Sequence, residues 1–263
     1  MTQTMENATA NRVPEVTLDF WLIKLMAVTM GETAADYLAV NLGFGLTATS
    51  LIMAAILVGA LVLQFGQRAY VPWSYWLSVV LISIVGTLIT DNLVDNFHVS
   101  LITATLGFSL ALAATFALWF ASEHTLSIHR VFTFRREAFY WLAILFTFAL
   151  GTAAGDMVAE LFGLGYLATG VLFGMIIASL GLGYAFLGLD PILGFWLAYI
   201  LTRPLGASFG DLLSQPSQYG GLGLGTIVTS ALFLAAIIGL VAYMSLTKLA
   251  TDSSAEKALH QRP

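Results

Sequence analysis

The sequence predicts an all-α, polytopic membrane protein with eight transmembrane helices, built as four parallel two-helix repeats in two pseudo-symmetric halves. Composition gives the environment: 59% of the 263 residues are hydrophobic, 10% are charged and the mean hydropathy is +0.88, whereas soluble domains carry about 25% charged residues. Repetition gives the architecture. Phe20-Trp21, Gly31 and Asp36 recur in one frame as Tyr75-Trp76, Gly86 and Asp91, as Tyr140-Trp141, Gly151 and Asp156, and as Phe195-Trp196, Gly206 and Asp211. In every copy the Trp precedes the Asp by fifteen positions and the Gly precedes it by five, which internal duplication explains and chance does not.

Taken in order, residues 1–17 are polar and mixed in charge, without the basic start, apolar centre and cleavage site of a signal peptide. They read as a cytoplasmic tail. Apolar runs follow at 18–40, 46–66, 72–95, 99–121, 137–160, 166–187, 191–213 and 223–247, each near the ~20 residues that cross a bilayer. Paired in order, they give repeat 1 (18–69), repeat 2 (70–122), repeat 3 (137–187) and repeat 4 (188–248), each expected as a helical hairpin. The first helix of a repeat carries the Trp, Gly and Asp, and the second is plainly apolar with a Thr or two near its start. Pro72 and Pro191 precede the third and seventh runs, where a first-turn proline is tolerated. The segment 123–136 is the longest connection and joins the halves, and 249–263 reads as a C-terminal tail.

Cationic residues orient the chain. Arg12, Arg68, Arg130, Arg135, Arg136, Lys248, Lys257 and Arg262 fall outside the spans, and eight crossings put all of them on one side with both termini. The opposite loops, near 41–45, 96–98, 161–165 and 214–222, hold no Lys or Arg. The positive-inside rule then makes both termini cytoplasmic.

Within the spans the repeated residues have distinct expected roles. Trp21, Trp76, Trp141 and Trp196 sit at the cytoplasmic interface and are expected as interfacial anchors. The Gly lies about 15 Å and the Asp about 22 Å further along the helix. Gly31, Gly86, Gly151 and Gly206 are each followed four positions later by Ala35, Thr90, Gly155 or Gly210, a spacing of small residues that lets helix backbones approach closely. Asp36, Asp91, Asp156 and Asp211 therefore come to one depth, and with Glu32, Asp95 and Glu160 they form the candidate ion- or proton-binding set. Lys24 and Arg203, the two cations inside the spans, are expected as counter-charges, and Arg203-Pro204 is expected to interrupt its helix. His98 at a turn reads as a surface histidine. Gln215 stands where the second and third repeats have Asp95 and Glu160, so the fourth repeat departs from the pattern.

The segments FWLIKLMAVTMGETAADYL, YWLSVVLISIVGTLITDNLVD, FYWLAILFTFALGTAAGD and FWLAYILTRPLGASFGDLLSQP resemble a bacterial integral membrane family with a fourfold repeat of unknown function. The resemblance covers about residues 15 to 250. It implies a bacterial inner-membrane protein of four repeats and carries no assigned activity.

Net charge −5 without a basic patch argues against nucleic acid, and the absence of cysteine removes disulfides and thiolate metal sites. No Ser/His, His-Glu-x-x-His or Gly-x-Ser-x-Gly arrangement points to an enzyme, and no cofactor is expected. Carboxylate-rich sites suit hard cations. The expected function is gradient-driven transport of a small cation, a divalent metal such as Mn²⁺ or Mg²⁺ being favoured, with proton coupling through shielded carboxylates. The expected partners are the lipid bilayer, the cation and protons, and a homo-oligomer is compatible with this reading. Alternatives are a pseudo-tetrameric cation channel, an organic-solute transporter, and a non-transporting scaffold or sensor whose carboxylates are structural.

Overall fold

A computed structural model describes residues 11–260, with side chains described to residue 247. The orienting cations Lys248, Lys257 and Arg262 and most of the two tails lie outside those side chains. Eight long helices are present among the described residues: α1 (Leu18–Asp36), α2 (Leu46–Phe65), α3 (Pro72–Asp91), α4 (Leu101–Glu123), α5 (Phe134–Asp156), α6 (Gly165–Leu187), α7 (Pro191–Ser214) and α8 (Thr226–His260). Seven, α2 to α8, are long and apolar enough to cross a membrane. Four charges in nineteen residues (Asp19, Lys24, Glu32, Asp36) set α1 apart. Two of these are nevertheless enclosed, Lys24 fully and Glu32 nearly so, while Asp36 is half-buried and Asp19 exposed.

The odd-numbered helices are the inner ones. The apolar spans of α3, α5 and α7 are 67%, 61% and 50% buried, against 22%, 17%, 11% and 17% for α2, α4, α6 and α8. The inner helices form a closed square in which α1 meets α3, α3 meets α5, α5 meets α7 and α7 returns to α1. The outer helices depart from the hairpin expectation. Instead of lying along its own first helix, α2 packs on α3, α4 on α5 and α6 on α7, and α8 closes the circle on α1. A repeat is thus joined at its turn but covers the next inner helix.

The turns explain the change of direction. In α1, α3 and α5 the repeated Asp is the last α-helical residue, and five π-helical residues follow: Tyr37–Asn41, Asn92–Asn96 and Met157–Leu161. Positive-φ residues then redirect the chain at Gly43 and Gly45, at His98, and at Gly163 and Gly165. His98, at φ 55°, occupies a backbone position that glycine fills in repeats 1 and 3. α7 lacks the π turn and instead stops at Ser214, before Pro216 and a 3₁₀ turn at Ser217–Tyr219.

At the Trp end Asn11 and Arg12, ahead of α1, are docked on the segment between α4 and α5 and on the start of α5. The Arg12 amide donates to the Val131 carbonyl at 3.0 Å, while the Asn11 side chain donates to Ile128 O at 3.1 Å and accepts from the Val131 amide at 2.9 Å. Arg12 also reaches Glu137 Oε2 at 2.5 Å. Glu137, buried at the start of α5, accepts from Gln64 Nε2 of α2 at 3.0 Å, and Ser74 of α3 donates to Gln64 Oε1 at 2.8 Å. This polar knot ties the tail to three helices.

Candidate functional site on the inner-helix axis

Each inner helix presents a stripe of residues four apart, which share one helix face. The stripes are Phe20, Lys24, Val28, Glu32 and Asp36 on α1; Tyr75, Val79, Ser83, Thr87 and Asp91 on α3; Tyr140, Ile144, Phe148, Thr152 and Asp156 on α5; and Phe195, Tyr199, Arg203, Ala207 and Asp211 on α7. Contacts between diagonally opposed helices place these stripes on a common axis. Lys24 of α1 lies 5.4 Å from the Phe148 ring centre of α5, and Arg203 of α7 bonds Thr87 of α3. The five positions therefore stack as five layers.

The layer at the Trp end is aromatic and shut. Phe20, Tyr75, Tyr140 and Phe195 are buried, and the Tyr75 and Tyr140 hydroxyls meet at 2.5 Å. Three of the four neighbouring Trp residues are enclosed by protein and are not the interfacial anchors that position alone had indicated. Trp76, Trp141 and Trp196 are only 1–4% exposed, and their indole N–H groups donate to Tyr70 Oη, Glu137 Oε1 and Leu126 O respectively. Trp21 is half-buried, with its ring centre 5.8 Å from that of Phe195. An aromatic collar drawn from all four repeats outcompetes the membrane interface for these rings.

The repeated glycines close the square by one contact used four times. A Cβ on Gly31 would overlap Ser83, one on Gly86 would come within 2.7 Å of Phe148 Cβ, one on Gly151 would overlap the Arg203 stem, and one on Gly206 would meet Val28. Each glycine thus receives the residue three positions before the next helix's glycine. At all four positions the helices approach too closely to admit a side chain without a shift.

Lys24 and Arg203 occupy the middle of the axis, both fully buried. Arg203 Nη2 donates to Glu32 Oε2 at 2.7 Å, to Thr152 Oγ1 at 2.8 Å and to Thr87 Oγ1, so one terminal nitrogen serves the other three inner helices. Thr87 in turn donates to Glu32 Oε2 at 3.2 Å. Arg203 Nε and Nη1 have no hydrogen-bond partner. Lys24 is not a counter-charge: it makes no ion pair among the described residues. Its Nζ donates to the Tyr199 carbonyl at 2.9 Å and to Thr202 Oγ1, and lies 3.9 Å from the Tyr199 ring centre. Nor does Arg203-Pro204 break α7, which runs helically from Pro191 to Ser214. The Lys24 contacts fall within the helical turn before Pro204.

The Asp layer is different, because it opens. Asp36, Asp91 and Asp156 are half-buried and Asp211 is 8% exposed. All four lie within electrostatic reach of Glu32, and Asp36, Asp156 and Asp211 are within reach of one another. They converge on one region. Asp95 and Glu160 stand exposed at the rim, and Gln215 Nε2 donates to Asp36 Oδ2 at 3.4 Å. Tyr166, at the start of α6, is near enough to feel four of these carboxylates. No three His, Cys, Asp or Glu side chains among the described residues are grouped to hold a metal ion. Thr87, Thr152, Tyr199 and Tyr166 were not singled out from sequence, although one step of four back from Asp91 and Asp156 finds the first two and three such steps back from Asp211 find Tyr199.

The fold defines a class: an all-helical protein of four repeats around a polar, charged axis, with seven helices suited to a membrane. Residues 20–70, 74–125, 139–187 and 194–249 each match one family, described as Repeat of Unknown Function (DUF347), and the chain belongs to it. No curated protein and no solved structure matches the chain.

Proposed function

We propose that this is a gradient-driven transporter of a small cation in the bacterial inner membrane, with both termini cytoplasmic and the Asp end facing outward. The observation that carries this reading is the convergence of four symmetry-related carboxylates around Glu32 at the open end of an axis whose deeper layers are filled. Ionisable groups at membrane depth mark ion and proton pathways more often than scaffolding, and an acidic mouth concentrates cations. Because the carboxylates surround the axis without forming a metal-holding group, a cation at this layer keeps water in its shell. That suits protons or a hydrated Mg²⁺, which gives up its waters reluctantly. Aromatic and ion-paired layers below the mouth favour alternating access over a continuously open channel.

The test is flux in proteoliposomes loaded with a pH dye and a metal dye, comparing wild type with Asp36→Asn and Asp156→Asn. Cation-dependent proton movement, lost in both variants while they stay folded and monodisperse, is the expected result. Absence of flux for every cation tried, with both variants merely less stable, would make the carboxylates structural.

A further inference from the structure

We propose that the layer formed by Glu32, Thr87 and Thr152 is a binding site for a hydrogen-bond-donating monovalent cation, occupied in this state by the guanidinium group of Arg203. This rests on the transport reading and narrows it: hydrated ions gather at the acidic mouth, but the layer below accepts a monovalent N–H donor and not a divalent ion.

Three observations lead there. Each inner helix contributes one residue to this layer; three of the four carry an oxygen, and the fourth, on the helix that owns Arg203, is Ala207. The three oxygens converge on a single nitrogen of Arg203. Arg203 is thus bound as a ligand would be, through contacts from three separate helices, and its own helix leaves the corner empty of competing oxygen. One carboxylate and two hydroxyls balance a single positive charge and fall short of the oxygen-rich shells that divalent ions take. Hydroxyl acceptors are matched to N–H donors, which guanidinium and alkylammonium ions carry and tetramethylammonium does not.

The second independent sign is how incompletely Arg203 is held. Its Nε and Nη1 are buried and have no hydrogen-bond partner, the guanidinium carbon lying 5.4 Å from the Phe148 ring centre. A planar fork with five donors normally binds carboxylates through two nitrogens, yet here one nitrogen makes every bond. A free cation arriving from the Asp layer meets Glu32 next on the same helix face. By bonding Glu32 and the two threonines it releases Arg203, whose unused donors then take other acceptors. Arg203 acts as a tethered competitor, and exchange at this layer is the point where the mouth is connected to or cut off from the deeper axis.

The experiment is thermal unfolding of the purified full chain, followed by tryptophan fluorescence, with guanidinium at low millimolar concentration as the probe. Methylammonium, tetramethylammonium, Na⁺ and Mg²⁺ serve as comparisons. Arg203→Met vacates the layer, so guanidinium and methylammonium are expected to stabilise that variant at concentrations about tenfold lower than any effect on wild type. The other three ions are expected to do nothing, and adding Glu32→Gln to Arg203→Met is expected to abolish the response. A folded Arg203→Met protein indifferent to guanidinium, or one equally stabilised after Glu32→Gln, would overturn the proposal. If Arg203→Met does not fold, Arg203→Lys takes its place, because the shorter ammonium cannot serve three helices together; indifference there counts equally against the site. Flux separates the two readings. Cation stabilisation through Glu32 without transport of any ion leaves the site and removes the transporter, whereas transport without stabilisation does the reverse.

Discussion

Gly151 of α5 lies directly against the aliphatic stem of Arg203 of α7, so close that a Cβ at this position would overlap Arg203 Cβ and Cγ. The missing side chain of one repeat makes room for the charge of another. That relation sets where the guanidinium sits, because the stem has to pass the α5 backbone before the head reaches Thr152 one position further along.

Gly151→Ala is therefore expected to cost about 1–3 kcal/mol, the usual range for overpacking a filled core. It should also weaken any property that depends on Arg203. Gly59→Ala in α2, where a Cβ meets nothing within 4 Å, is expected to be neutral or to stabilise by up to about 1 kcal/mol through helix propensity. Thermal melts of the two variants in one detergent check the difference.

The Tyr75–Tyr140 hydroxyl pair spans α3 and α5 in the closed aromatic layer, and neither hydroxyl has water to fall back on. Either Tyr→Phe change leaves one buried hydroxyl unpaired and is expected to cost about 1–3 kcal/mol. The double change removes both polar groups, so it should cost less than the two single changes together. A double-mutant cycle on unfolding midpoints reads the coupling.

What the sequence made legible follows from what repetition reports. Four copies of Trp, Gly and Asp at one spacing predicted eight helices and the close-packing glycines, since a spacing that recurs must serve a geometry that recurs. The pairing of helices was not legible, because a short turn fixes only that α2 follows α1. The positive φ values at Gly43 and Gly45 send it onto α3 instead. Trp76 was misplaced for a related reason. Depth along the helix could be counted from sequence, but which face met the collar depended on the rotation of four helices about an axis. Lys24 and Arg203 looked equivalent as two cations among acids. Only their layers separate them: Arg203 extends toward Glu32, while Lys24 lies one layer nearer the aromatic end and finds a carbonyl, a hydroxyl and two rings.

Glu137 is the hub of the knot at the Trp end, with Arg12, Gln64 and Trp141 all donating to it. Glu137→Ala strands these donors and is expected to destabilise by about 3–5 kcal/mol, as breaking a buried ion pair does. Arg12→Ala leaves the buried Glu137 carboxylate with two neutral donors and no cation, so it is expected to destabilise by a similar amount, and it should also release residues 11–17. Limited proteolysis around residues 11–17, quantified beside the melting temperature, checks both: each variant lowers the melting temperature, and Arg12→Ala accelerates cleavage there.

The acidic end offers the sharpest comparison, because Asp91 and Asp95 stand one helical turn apart on the same chain segment and differ in surroundings. Asp91 is half-buried, in the ring that shares Glu32, while Asp95 is exposed at the rim. A rim charge attracts ions without binding them, so its removal alters the capture rate and the salt dependence, typically by a few-fold. A carboxylate in the ring is part of the site itself. Asp91→Asn is therefore expected to lower cation flux by about tenfold or more, the scale of losing one charge-assisted contact. Asp95→Asn should lower it by about threefold or less, and raising the ionic strength should erase that smaller deficit by screening. Initial rates in proteoliposomes at low and high salt give both numbers. Equal losses in the two variants, unchanged by salt, would mean that the ring has no role beyond that of the rim.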